Sequence, residues 1–148
     1  MDLCNWSSIT CNKYIVHDAD AALFLVLDHL SQERNILILS GNLGSGKTFL
    51  AKKIINSILD QDLNVTSPTF GLWNIYNNKD ITINHFDLYR IKSIDELFQI
   101  GFTEAISDNI SIIEWPNLAI PLLYKDSIIA INIDFQENQS DRIYTIKI

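Results

Sequence analysis

Residues 40–50 read SGNLGSGKTFL and hold three of the chain's five glycines within six positions. Glycine reaches backbone conformations closed to other residues but costs entropy to order. Three in one bend therefore mark a place where something approaches the backbone closely. The stretch fits G-x-x-x-x-G-K-T, the phosphate-binding loop pattern, in which main-chain N–H groups cradle phosphates, the lysine reaches the terminal ones and the hydroxyl binds magnesium. The candidate nucleotide-binding residues are Gly41, Asn42, Leu43, Gly44, Ser45, Gly46, Lys47, Thr48 and Phe49. Lys47 is also a candidate catalytic residue, and Thr48 a candidate magnesium ligand.

Such a loop needs a strand before it and a helix after it. Residues 35–40, NILILS, form a continuous apolar run of strand length. Behind the loop, Leu50, Ala51, Ile54, Ile55, Ile58 and Leu59 recur at helical spacing, which predicts an amphipathic helix from Thr48 with its N-terminus aimed at the loop. Upstream, residues 13–17 read as a short strand. Residues 18–30 read as a helix opened by Asp18 or Asp20, with Ala19, Ala22, Leu23, Val26, Leu27 and Leu30 on one face.

Downstream, TFGLWNIYN (69–77) and ITINHFDLYR (81–90) flank a polar turn and predict a β-hairpin. SIDELFQI (93–100) predicts a short helix stopping near Gly101, ISIIEWP (110–116) a buried strand closed by Pro116, and SIIAINIDF (127–135) with RIYTIKI (142–148) a second hairpin across polar residues 136–141. The expected fold is an α/β, P-loop NTPase-like three-layer domain over residues 1–148. Its mixed sheet is parallel near the loop and antiparallel towards the edges.

Composition narrows the function. At 148 residues and 47% hydrophobic, the chain suits one domain with a substantial core. The longest apolar run, residues 21–27, is far short of the roughly 20 residues that span a bilayer, and the N-terminus has neither a basic nor an apolar signal region. A cytoplasmic protein without membrane attachment is expected. Cys4 and Cys11 stand without a second pair or a His/Cys cluster, so reduced thiols are expected rather than a zinc site. A net charge of −7 without long runs of one sign argues against gripping nucleic acid directly.

Magnesium takes oxygen ligands and an attacking water needs orienting, which calls for an acid at the end of a buried strand facing the loop. Two qualify: Glu114, ending ISII, and Asp87, within HFDLYR. Both are candidate catalytic residues and metal ligands, although Glu114 could instead pair with a surface base and Asp87 with Arg90. Ser67 and Thr69 around Pro68 suggest a loop touching the terminal phosphate, or merely the start of a strand. By the period of two, His85 and Tyr89 share a face with Asp87 and either line its cleft or fill the sheet. Trp6, Trp73 and Trp115 read first as core, with Trp115 held near the cleft by Glu114.

Taken together, GNLGSGKTFL, SPTF, HFDLYR, IGFTEAI and IIEWP, in this order, resemble the bacterial TsaE family, formerly YjeE, over roughly residues 13–135. The resemblance implies a small P-loop ATPase of tRNA threonylcarbamoyladenosine biosynthesis that uses ATP and Mg2+. It further implies Thr48 as magnesium ligand, Asp87 and Glu114 as essential acids, and TsaD and TsaB as partners, with tRNA engaged only indirectly through that complex. The family usually has Asp where Asn42 stands, commonly Thr at Phe49 and often an acid at Asn117. A GTPase would need N-K-x-D, and Ile81 holds the aspartate's place. A small-molecule kinase usually supplies several lid arginines, whereas this chain has Arg34, Arg90 and Arg142. A non-hydrolysing, nucleotide-dependent interaction module is the remaining alternative.

Overall fold

The computed structural model describes residues 12–136 and 141–148. Cys4, Trp6, Cys11 and most of the turn between the last two strands lie outside the described residues. The elements in chain order are β1 (Lys13–Val16), α1 (Ala19–His29), β2 (Ile36–Ser40), α2 (Lys47–Leu59), β3 (Trp73–Asn77), β4 (Thr82–Asp87), α3 (Ile94–Gln99), α4 (Phe102–Ala105), β5 (Ile110–Glu114), β6 (Ile128–Phe135) and β7 (Arg142–Lys147). The described strands form one sheet in the order β1-β7-β6-β2-β5-β4-β3.

The centre of the sheet is parallel, β2 pairing with both β5 and β6, and β5 with β4. Its flanks, β6–β7–β1 and β4–β3, are antiparallel. This is the expected mixed sheet. The apolar run of β2 has a simple cause: a central parallel strand is covered on both faces, and Ile36, Leu37, Ile38 and Leu39 are all buried. Leu37 and Leu39 join Ile112, Ile129, Ile131 and Ile133 against α1 and α2. Ile36 and Ile38 join Phe86, Ile113 and Ile128 against α3, α4 and the 3-10 turns around Ala119 and Leu123. Three layers result.

Helix α2 buries Leu50, Ala51, Ile54, Ile55 and Leu59 as its spacing predicts; each large side chain so placed contributes about 1.5–3 kcal/mol. Asp18 opens α1, its side chain accepting from the Ala21 N–H at 2.7 Å. The face predicted for α1 needs correction. Leu27 is exposed, and Leu25 packs on the core beside Ala22 and Val26. AALFLVL is apolar almost all round, so its periodicity cannot choose a side.

The first hairpin is shorter than its apolar flanks at the open end, where residues 69–72 turn and Leu72 takes φ 64°; its closed end is turned by Asn78. Its Oδ1 accepts from the Asp80 and Ile81 N–H groups at 3.0 and 2.9 Å, a side-chain turn that fixes the register. Gly101, at φ +73°, ends α3 and opens α4, one helical turn that the sequence reading did not anticipate. Behind β4, Phe86 stacks on Trp73 and meets Phe102 edge-on, and buried Asn84 accepts from Trp73 Nε1 while donating to the Ala105 carbonyl. Trp73 is core. With that face filled, His85 and Asp87 are left to the face that carries α2.

Candidate nucleotide site

The carboxyl ends of parallel strands are where open α/β sheets bind ligands, and here β2, β5 and β4 end side by side. Leu39 is in register with Glu114, and Glu114 with Asp87. From Ser40 the chain turns through the glycine loop into α2. Gly41, at φ +139°, lies so close to β6 that an added Cβ would stand 2.4 Å from the Ile133 carbonyl oxygen and 2.7 Å from Ser45 Oγ. Gly46, at φ +105°, makes the turn that brings the first N–H groups of α2 towards the loop. Arg142 Nε fastens the loop to β7 by donating to the Ser45 carbonyl at 2.9 Å.

A cavity of about 400 Å³ opens between the loop and the strand ends. Gly44, Gly46, Lys47, Thr48, Asp87 and Glu114 line it, with Ser67, Thr69 and Trp115. Leu43 and Phe49 stand exposed at its mouth, whereas Ser45 is buried inside the loop. Gly41 and Asn42 line a neighbouring cavity of about 360 Å³ with Trp115, Asn117 and Asp134.

Lys47 is 5% exposed, and its Nζ donates to the Gly41 and Asn42 carbonyls at 2.9 Å each while lying 4.1 Å from the Trp115 ring centre. Burial pushes its ammonium below the ordinary lysine value of 10.5, and Glu114 and then Asp87 pull it back up. The folded chain therefore gives up this proton at lower pH than the unfolded one. Between the two values the unfolded state binds more protons, so stability rises with pH there. Denaturant melts from about pH 8 upwards should show the parent chain gaining stability relative to Lys47→Met as the pH nears 10.5. Parallel profiles would contradict this account of the lysine.

Asp87 and Glu114 are neighbours on adjacent strands, an arrangement of like charges that is unfavourable unless each is satisfied. Each is. Thr48 Oγ1 donates to Glu114 Oε1 at 2.9 Å and Oε2 at 3.1 Å, and His85 Nε2 lies 2.9 Å from Oε1. Asp87 Oδ2 accepts from Ser67 Oγ and Thr69 Oγ1, both at 2.6 Å, and Oδ1 accepts from the Tyr89 N–H. Neither bland pairing appears: Glu114 faces Thr48 and His85 rather than a surface base, and Arg90 stacks on exposed Phe70, away from the carboxylates. The 67–69 segment is a loop held to Asp87, not the start of a strand.

Sequence reasoning thus brought Lys47, Thr48, Asp87 and Glu114 to one cleft, and left His85, Ser67, Thr69 and Trp115 open. Trp115 belongs to the cleft; it adopts the left-handed region at φ 56°, turning its ring beneath Lys47 and against Tyr89. Tyr89 stands past the end of β4 at the mouth. His85 is fully buried behind Glu114.

The family model of the threonylcarbamoyl adenosine biosynthesis protein TsaE matches residues 17–144. The TsaE protein of Rickettsia typhi is 39% identical over 113 residues, spanning 76% of this chain and 77% of its own. That of Haemophilus influenzae is 36% identical over 115 residues, 76% of this chain and 72% of its own. The fold is similar to that of YdiB in a Bacillus subtilus crystal structure, with a TM-score of 0.63 at 22% identity over 93% of this chain and 85% of that one. The matched span contains the glycine loop, both carboxylates and the 67–69 loop, and with this likeness the chain belongs to the TsaE family of tRNA threonylcarbamoyladenosine biosynthesis.

Proposed function

We propose that the chain binds ATP with Mg2+ in this cleft and hydrolyses it, slowly alone and faster with TsaD and TsaB, to support their turnover on tRNA in the cytoplasm. The observation that carries the reading is the convergence of a lysine, a helix-initiating threonine and two strand-end carboxylates on one glycine loop. These groups suit a hard cation. Thr48, Asp87 and Glu114 offer oxygen donors, and among the described residues no three His, Cys, Asp or Glu side chains form a metal-holding group. An ion held by a hydroxyl, a carboxylate and the nucleotide's own phosphates fits better than an all-protein cage. When bound, Mg2+ would neutralise charge on the phosphate oxygens.

The chain's own groups do the rest. Main-chain N–H groups at the start of α2 face the phosphates. Lys47 exchanges the Gly41 and Asn42 carbonyls for the terminal phosphates, which give its buried ammonium a better counter-charge. Glu114, hydrogen-bonded to Thr48, would be among the oxygen donors nearest the ion, and the carboxylate pair would orient the attacking water. Ser67 and Thr69 are positioned to trade Asp87 for the terminal phosphate.

Hydrolysis without a partner is expected to be feeble. Of the arginines, Arg142 donates to the Ser45 carbonyl and lies over the Phe135 ring, Arg90 lies on Phe70, and Arg34 reaches the Asp126 carbonyl. A partner that completes the charge-stabilising shell raises such rates by orders of magnitude. The cleft mouth favours a protein partner: Leu43, Phe49 and Tyr89, which line the cavity, are 77, 56 and 56% exposed, and Phe70, next to Thr69, is 85% exposed, and grouped exposed apolar side chains mark interaction sites. No helix among the described residues is long and apolar enough to cross a membrane, and the charge of −7 suits contact with tRNA through the partners.

The test is phosphate release from MgATP with and without TsaD and TsaB, together with co-elution. Stimulation by the pair, and stronger co-elution with ATP than with ADP, are expected. Rapid turnover alone, or indifference to the pair under both nucleotides, would overturn the partner reading. Phosphate transferred to a metabolite would instead favour the kinase reading, for which the 360 Å³ cavity beside Gly41 offers an acceptor site.

A further inference from the structure

His85 is fully buried on β4, and its imidazole makes one hydrogen bond, from Nε2 to Glu114 Oε1 at 2.9 Å; the buried Nδ1 has no partner among the described residues. A buried polar atom left unpaired weakens a fold, so filling space does not account for histidine here. The register explains the contact. His85 is opposite Ile112 and Asp87 opposite Glu114, so the imidazole meets Glu114 diagonally, from the interior side of the sheet. The tautomer follows. A proton on Nδ1 would be a buried donor with nothing to accept it and would turn the Nε2 lone pair onto a carboxylate, whereas a proton on Nε2 makes the observed contact a donated hydrogen bond.

We propose that His85 is a positioning residue: by donating its Nε2–H to Glu114 Oε1 from behind, it fixes the rotation of the carboxylate, sharing Oε1 with Thr48 and leaving Oε2 as the oxygen free of the imidazole. A carboxylate on a flexible side chain has several rotations available. Here Thr48 straddles both oxygens at 2.9 and 3.1 Å and does not by itself select one. The imidazole, held by the sheet on a short side chain, does. Partners of this kind, one bond removed from the chemistry, typically matter 10- to 100-fold.

The bond stands on geometry; its kinetic consequence rests on the ATPase reading above. Two measurements separate them. In nucleotide-free protein, side-chain 15N spectra should show His85 protonated at Nε2, with that resonance shifted in Glu114→Gln. In turnover assays with the partner proteins present, folded His85→Leu should keep its KM for MgATP within about twofold and lose kcat by about 10- to 100-fold, while His85→Gln, which returns an N–H donor, recovers most of it. A space-filling role would lower the melting temperature of His85→Leu and leave kcat per folded molecule unchanged. Should His85→Leu fail to fold, His85→Gln and the spectra decide. An Nδ1–H tautomer, full kcat in His85→Leu, or a His85→Gln as slow as His85→Leu would overturn the clamp. A parent chain that binds MgATP without hydrolysing it, alone or with partners, would sink the ATPase reading and leave the 15N spectra to decide the clamp.

Discussion

Glu114→Gln should bind MgATP within about threefold of the parent chain and hydrolyse it at least about 100-fold more slowly, the scale on which a positioned acid or base contributes. The substitution keeps the size of the side chain and an oxygen to accept from Thr48 Oγ1 or His85 Nε2, whose contacts are at 2.9 Å, so the fold should survive it. What goes is the negative charge that the proposed reading sets beside the ion and the attacking water. A 100-fold loss corresponds to about 2.7 kcal/mol of transition-state stabilisation. Calorimetry for binding and phosphate release for turnover, on the same preparation, check it. Lost binding with turnover unaffected per bound nucleotide would make Glu114 structural.

Lys47→Ala should lose ATP affinity by about 10- to 100-fold, equivalent to one or two charge-assisted hydrogen bonds, without loss of thermal stability. The second half is the more diagnostic. In the nucleotide-free chain the ammonium is buried against the Gly41 and Asn42 carbonyls and is pushed towards its neutral form, so removing it relieves a cost rather than a bond of value. Thr48→Ala should differ, weakening the dependence on Mg2+ more than the affinity for the nucleotide. Calorimetry on folded Lys47→Ala and Thr48→Ala that finds nucleotide affinity unchanged in both would end the phosphate-loop reading.

How much of this could be read in advance depended on the range of the interaction. β2, the loop and α2 were legible because each signal is local: an unbroken apolar run, glycines at fixed spacing, a helical stripe. Both carboxylates were legible because each ends a strand. The order of the sheet was not, since β6 and β7 reach β2 and β1 through pairings that no short window contains. The one-turn α4 is too short to display a period, and the orientation of α1 is hidden by its own hydrophobicity. His85 is the instructive case. Alternation put it on the face of Asp87, but only the register between β4 and β5 brings it to Glu114 rather than into plain packing. Ser67 and Thr69 were suspected for a phosphate and are found on Asp87, a partner eighteen or twenty residues away that their own segment could not disclose.

The direct pairing of Asp87 with Glu114 has a mechanical consequence. Their spacing is dictated by two hydrogen-bonded parallel strands, whose separation of about 4.8 Å barely yields, and β4 is wedged from behind by Phe86 and Asn84. That wall of the cleft is stiff. The groups set against it are more easily exchanged: Lys47 is held by the Gly41 and Asn42 carbonyls and the 67–69 loop by Asp87, hydrogen bonds that can be traded one at a time. On the proposed ATPase reading, a gained or lost phosphate would be met mainly by these exchangeable groups, where exposed Phe70 follows directly on Thr69. On that reading one end of the nucleotide would be measured against a fixed gauge, and the difference displayed at the surface.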